Sequence, residues 1–144
     1  VMRVNLKSAF LFCKAALPHL LAARGSTIIN NCSIQGVQSA PLVGVYAATK
    51  GGLLALTRQL AVEYGGQGLR CNAISPGTTA TKLEGLDDYP RISQNTPLRR
   101  IAQPEDVADV VVWLAGDGSR HVTGQNICVD GGITIKGGWA ELAS

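Results

Sequence analysis

The chain has 144 residues, of which 46% are hydrophobic and 16% charged, and its formal net charge is +3 at pH 7. These values predict one globular domain with a modest core and exclude a largely disordered chain. The basic residues are scattered, so we expect no nucleic-acid partner. No apolar run reaches the roughly 18 residues of a membrane span. The four cysteines have no C-x-x-C spacing, which favours reduced thiols, no metal site and a cytoplasmic location.

The first half of the chain reads as helix, strand, loop and helix. Apolar residues recur at helical spacings over residues 2–23, and Gly25 ends this helix. The chain opens inside the helix without a capping residue, so we interpret it as a fragment of a longer domain. Residues 26–32 predict a buried strand. A loop over 33–43 and a long helix over 44–64 follow.

The second half repeats the alternation of strand and helix. Residues 69–75 predict a second strand, and residues 78–100 an irregular segment that resembles a lid over a substrate. Pro104 begins the next helix at a position that proline favours. A third strand covers 125–130, and the tail over 136–144 is expected to be loose.

Strands that alternate with helices predict an α/β fold with a parallel sheet. We therefore expect residues 1–144 to form a single partial domain. The helix over 44–64 is apolar on more than one side, and a helix of this kind is buried on more than one side. A second buried side of this kind is available for contact with another copy of the chain, and this pattern predicts a homo-oligomer for the full-length form.

Ligands of such sheets bind beyond the carboxyl ends of the strands, where Ser33 follows the first strand. The next helix carries Tyr46 and Lys50, whose i, i+4 spacing puts them on one helix face. An ammonium group about 5 Å from a phenol favours the phenolate by about 3 kcal/mol at an effective dielectric of about 20. The pair is therefore a candidate general acid/base. The alternatives are a packed tyrosine beside an exposed lysine, and a serine that only caps its loop.

Four segments carry a resemblance to a known family. IINNCSIQG followed by YAATKGG resembles the active-site region of the short-chain dehydrogenase/reductase family, and RCNAISPGTTAT resembles its next strand and cofactor loop. VTGQNICVDGG resembles the last strand, and VNLKSAF the helix with the active-site asparagine. The motifs cover residues 1 to about 133. The resemblance implies a partial Rossmann-like doubly wound parallel sheet, made of the last three strands and their flanking helices. It also implies that the homo-oligomer is a dimer or a tetramer, because the family uses the helix over 44–64 in its subunit contacts.

The resemblance also implies roles for four catalytic residues. Tyr46 would give a proton to a carbonyl or take one from an alcohol, and Lys50 would lower the pKa of Tyr46 and bind the nicotinamide ribose. Ser33 would orient the substrate oxygen. Asn5 would hold a water in the proton relay, although a single asparagine in a helix is also commonplace.

The implied cofactor is NAD or NADP, bound by Tyr46, Lys50 and the loop after the second strand. That loop supplies four further candidate residues, Pro76, Gly77, Thr78 and Thr81. Its glycine is equally compatible with a simple turn. The sequence lacks the family's glycine-rich phosphate loop, so we expect the isolated chain to bind nicotinamide nucleotides weakly.

The predicted function is therefore an NAD(P)-dependent oxidoreductase that interconverts a secondary alcohol and a ketone in a small-molecule substrate. Two alternatives stay open. The chain could be a truncated, noncatalytic product without a phosphate site, or a relative that uses the same residues for non-redox chemistry such as halohydrin dehalogenation.

Overall fold

A computed structural model describes residues 1–23, 25–81 and 89–136. Its centre is a parallel sheet with the strand order β1-β2-β3. Thr27 of β1 is paired with Arg70, and Ala73 of β2 with Asn126. The bounds are β1 Thr27–Asn31, β2 Arg70–Pro76 and β3 Asn126–Val129. The predicted parallel α/β sheet is confirmed, and each strand end lies within one residue of its predicted position.

The helices connect these strands and begin with an irregular turn. Arg3–Lys7 is a π-helical turn, in which the Ser8 amide donates to the Arg3 carbonyl while the Ser8 hydroxyl donates to the Val4 carbonyl. A π-turn inserts one residue into a helix and widens it locally. The helices are α1 Ser8–Ala22, α2 Gly44–Tyr64, α3 Tyr89–Asn95 and α4 Pro104–Ala115.

The central strand β2 is buried on both faces. Cys71 and Ala73 pack in clusters with leucines of α2, including Leu53 and Leu60. Side chains alternate along a strand, so Ile74 points to the opposite face, where α4 contacts the sheet. Helices therefore cover both faces of the sheet, as the doubly wound architecture requires.

The segment over 78–100 is more regular than the sequence predicts, because residues 89–95 form α3. Pro90 stands in the first turn, where a missing amide hydrogen costs nothing. At the other end, the Asn95 and Thr96 side chains donate to the carbonyls of Arg91 and Ile92. The helix has no apolar stripe and contains a proline, so hydrophobic periodicity in the sequence does not predict it. Residues 82–88 of the lid-like segment and 137–144 of the tail lie outside the described residues.

Three further findings concern membrane-spanning helices, metal-binding clusters and disulfide bonds. In the described ranges, no helix is long and apolar enough to cross a membrane, and no group of three or more metal-binding side chains is found. The four cysteines are free thiols, and burial raises the pKa of the Cys71 thiol to about 12.

Candidate active site

A cleft lies at the carboxyl ends of β1 and β2. Its volume is about 560 Å³, which falls in the range of roughly 300–1,000 Å³ of small-molecule sites. Four groups of residues meet there, from the end of β1 and the turn after it, from the first turns of α2, from the loop after β2, and from the start of α4. The lining includes Asn31, Cys32, Ser33, Gln35, Tyr46, Lys50, Pro76, Gly77, Thr78, Thr79, Thr81 and Val107.

Tyr46 and Lys50 lie side by side on the first turns of α2. The Lys50 Nζ atom is 5.6 Å from the centre of the Tyr46 ring. The same ammonium donates a 2.8 Å hydrogen bond to the carbonyl of Asn31, the last residue of β1. This acceptor is neutral, so the hydrogen bond orients the lysine without cancelling its charge. The charge can therefore stabilise an anion that forms at the neighbouring phenol.

Cys32 lines the same cleft as Lys50 and lies within reach of the lysine charge. Burial raises the pKa of its thiol to about 11, although the Lys50 charge acts in the opposite direction. A thiol with this pKa is neutral near pH 7, because its thiolate form is scarcely populated. Cys32 therefore does not form an ion pair with Lys50 at this pH.

Ser33 is nearly buried, and its hydroxyl oxygen accepts a 3.2 Å hydrogen bond from the Gln35 amide. The serine thus caps the short 3₁₀ helix Ile34–Gly36, which is the capping role that the sequence offered as the alternative to catalysis. The cap uses an oxygen lone pair and leaves the hydroxyl hydrogen for another acceptor. The capping and substrate-orienting roles are therefore compatible.

Asn5 is not among the residues that line the cleft. Its side-chain amide donates a 3.4 Å hydrogen bond to the hydroxyl of Thr49, which is fully buried on α2. This partner is a protein hydroxyl and not a water. The water-holding role of Asn5 stays a prediction.

The loop after β2 is held by backbone contacts on two sides. The Gly77 amide donates to the Val129 carbonyl at 3.0 Å. A Cβ atom at Gly77 would lie 2.9 Å from the Asp130 Cβ, so only glycine fits this approach to β3. Ala102 exchanges two further backbone hydrogen bonds with the loop, accepting from Ala80 and donating to Thr78. The threonines are therefore presented to the cleft on a fixed backbone.

These features fit one end of a nicotinamide nucleotide. The cleft offers hydroxyls and the Lys50 ammonium, which can hydrogen-bond a carboxamide and a ribose. A pyrophosphate normally binds at a glycine-rich turn that leads from a strand into an α-helix, and the described part of the chain has no such turn. The fit therefore extends to the nicotinamide and its ribose only.

Sequence reasoning missed several residues near the site, and three of them show why. Asn31 contributes a carbonyl to Lys50, Thr49 joins Asn5 to α2, and Thr79 lines the cleft. The Asn31 carbonyl leaves no trace in the sequence, because every residue has one. Thr49 carries a weak signal, since a threonine inside a helix often bonds the preceding turn.

Known proteins match this chain along nearly its whole length. A family model described as Enoyl-(Acyl carrier protein) reductase matches residues 1–134. The chain belongs to the short-chain dehydrogenase/reductase family. It is 38% identical over 143 residues to 2-(S)-hydroxypropyl-CoM dehydrogenase 3 of Xanthobacter autotrophicus (strain ATCC BAA-1158 / Py2). That match covers 93% of this chain and 56% of the relative.

Solved structures of family members have the same fold over this region. A gluconate 5-dehydrogenase from Burkholderia cenocepacia J2315 in complex with NADP and tartrate superposes with a TM-score of 0.89 at 32% identity, covering 94% of this chain and 55% of that one. A 3-oxoacyl-[acyl-carrier protein] reductase from Brucella melitensis with bound NAD has a TM-score of 0.86 at 38% identity, covering 92% and 50%. The chain spans about half the length of these relatives.

Proposed function

We propose that the full-length protein containing these residues is an NAD(P)-dependent oxidoreductase that interconverts a secondary alcohol and a ketone. One observation carries the proposal. A single cleft at the carboxyl edge of a parallel sheet is lined by Ser33, Tyr46 and Lys50 together with the loop over 76–81. This combination provides a proton donor, a cation and a hydroxyl beside a surface suited to a nicotinamide.

Each of the three side chains has a distinct task in this reaction. The Tyr46 hydroxyl gives its proton to the substrate oxygen during ketone reduction and takes it back during alcohol oxidation. The Lys50 ammonium, 5.6 Å from the ring centre, stabilises the phenolate that each proton transfer forms or consumes. The Ser33 hydroxyl donates to the same substrate oxygen and holds it in place. The bound nicotinamide supplies or accepts the hydride.

The cofactor is NAD or NADP, and the substrate is a small alcohol or ketone. Pro76, Gly77, Thr78 and Thr81 line the side of the cleft where the nicotinamide belongs, and Lys50 is the partner of its ribose. The relatives with bound NAD and with NADP support both forms of the cofactor. The lid-like role of the segment over 78–100 stays a prediction, because residues 82–88 lie outside the described residues. We also propose a cytoplasmic location.

A noncatalytic chain is the second candidate. The chain spans about half the length of its relatives, and the described residues lack a pyrophosphate site. If these 144 residues are the whole product, the proton-transfer groups are present without firm cofactor binding. The third alternative, non-redox chemistry, has no specific support from the site.

The test replaces one phenol hydroxyl in the full-length protein. Tyr46→Phe should lower turnover by ~10² to 10⁴ because the proton donor is lost, whereas NADH or NADPH binding should change little. Tyr64→Phe, at the far end of α2, is the matched control and should retain full turnover.

Fluorescence titration of these full-length proteins and of the isolated 144-residue chain with NADH and NADPH measures cofactor binding. We expect the 144-residue chain to bind weakly, and micromolar binding by that chain would contradict the noncatalytic candidate. Unchanged turnover in Tyr46→Phe would remove Tyr46 from the mechanism.

A further inference from the structure

Thr49 lies between the two reactive residues of α2 and is fully buried. Its hydroxyl donates a 2.6 Å hydrogen bond to the backbone carbonyl of Tyr46, three residues earlier. The same oxygen accepts a 3.4 Å hydrogen bond from the side-chain amide of Asn5. The backbone of Tyr46 is thereby connected, through one hydroxyl, to the π-helical turn that precedes α1.

The π-helical turn that contains Asn5 also packs closely against α2. A Cβ atom at Gly52 would lie 2.9 Å from the Cδ2 atom of Leu6, so the side chain next to Asn5 rests directly on α2. A second approach is equally tight, because a Cβ at Gly36 would lie 2.8 Å from the Lys50 carbonyl carbon. Near Lys50, α2 therefore packs against both the 3₁₀ helix and the turn that contains Asn5, and the Asn5–Thr49 hydrogen bond adds a side-chain polar link to that turn.

We propose that Thr49 is a positioning residue, through which Asn5 sets the turn of α2 that carries Tyr46 and Lys50. The proposal rests on the proposed oxidoreductase function. A hydroxyl that bonds a carbonyl within the same helix bends that helix slightly. The direction of the Tyr46 side chain follows the bend, and a displacement of about 1 Å at a reacting group can cost ~10²-fold in rate. Asn5 thus acts on the tyrosine from outside the cleft.

Thr57 of α2 makes the same two kinds of hydrogen bond as Thr49, but it lies away from the cleft. The buried Thr57 donates to the Leu53 carbonyl at 2.9 Å and accepts from the Asn30 amide at 2.9 Å. Thr57 is two helical turns further along and is not among the residues that line the cleft. A purely structural role predicts equal consequences for the loss of either hydroxyl. A positioning role predicts a loss of turnover only at Thr49.

The experiment compares Thr49→Val, Thr49→Ser and Thr57→Val in the full-length protein. Valine keeps the shape of threonine and removes the hydroxyl, so both valine variants should lose similar stability. Thr49→Val should lower kcat by ~10- to 10²-fold with little change in KM, and Thr49→Ser should recover most of that loss. Asn5→Ala should lower kcat as well, and combining it with Thr49→Val should add little. Equal kcat in Thr49→Val and Thr57→Val would overturn the proposal.

An independent measurement separates this proposal from the proposed function. Amide hydrogen exchange over residues 46–51 should become faster in Thr49→Val than in Thr57→Val, whatever reaction the protein catalyses. Unchanged exchange in this turn would overturn the positioning role, even if the protein is an active oxidoreductase. Tyr46→Phe tests the oxidoreductase function itself and leaves Thr49 intact.

Discussion

At the scale of single residues, the candidate site depends on how closely the backbone at Gly36 approaches the backbone of α2 at Lys50. The ammonium reaches the Asn31 carbonyl because the 3₁₀ helix after β1 lies directly against α2. Gly36 makes this contact possible, since any side chain there would meet the α2 backbone at Lys50 and Gly51. The sequence places Tyr46 and Lys50 on one helix face, but the requirement for glycine at position 36 follows only from the packing.

Gly36→Ala should therefore destabilise the full-length protein. The added Cβ would lie 2.8 Å from the Lys50 carbonyl carbon, and such overpacking costs roughly 1–3 kcal/mol. Gly44→Ala is the matched control, because a Cβ there meets nothing within 4 Å at the start of α2. Urea denaturation should show a loss for Gly36→Ala and little change or a small gain for Gly44→Ala. Equal midpoints for the two variants would contradict this account of the contact.

At the scale of elements, local chemistry explains where α4 begins and why α3 escaped prediction. The Asp106 carboxylate accepts a hydrogen bond from the Gln103 amide at 2.7 Å and forms an ion pair with Arg100 at 2.6 Å. These contacts hold the first turn that Pro104 and its acidic neighbours predict. By contrast, α3 is a seven-residue helix held by side-chain bonds at its end, which no hydrophobic period reveals.

The start of α4 should lose stability in acid. The hydrogen bonds from Arg100 and from the Gln103 amide lower the pKa of Asp106 from 3.8 to about 2. A carboxylate with a depressed pKa contributes stability above its ordinary pKa and loses it as pH falls through the depressed value. The difference in melting temperature between wild type and Asp106→Asn should therefore shrink from pH 4 to pH 2. Asp109→Asn, which removes an exposed carboxylate from the same helix, is the control, and a difference that stays constant would contradict the prediction.

At the scale of the whole molecule, the surface of α2 supports the predicted homo-oligomer. Leu53 and Leu60 of this helix are buried against the sheet, whereas Val62 is 85% exposed and Val45 is 59% exposed. The second apolar side that the sequence predicts thus remains uncovered in the single chain. Burying it against a second copy removes apolar area from water, which is the usual driving force of stable assembly.

Val62→Asp should weaken this assembly in the full-length protein. A carboxylate at the centre of a dry interface costs several kcal/mol unless it is paired, so the charge opposes association. Light scattering should report a dimer or tetramer for wild type and a smaller mass for Val62→Asp. Gln67→Asp places the same charge beyond the end of α2 and should leave the mass unchanged. A monomeric wild type would refute the oligomer outright.

The sequence alone determined how the three strands alternate with α1, α2 and α4, the bounds of α2 and the i, i+4 spacing of Tyr46 and Lys50. These features depend on periodicity and turn chemistry, which act between residues close in the chain. Only the tertiary structure decided that Ser33 and the loop after β2 share a cleft with that pair, and that Asn5 bonds Thr49 instead of lining the cleft. Such contacts join residues far apart in sequence, because they depend on how packed elements bring backbones and side chains together.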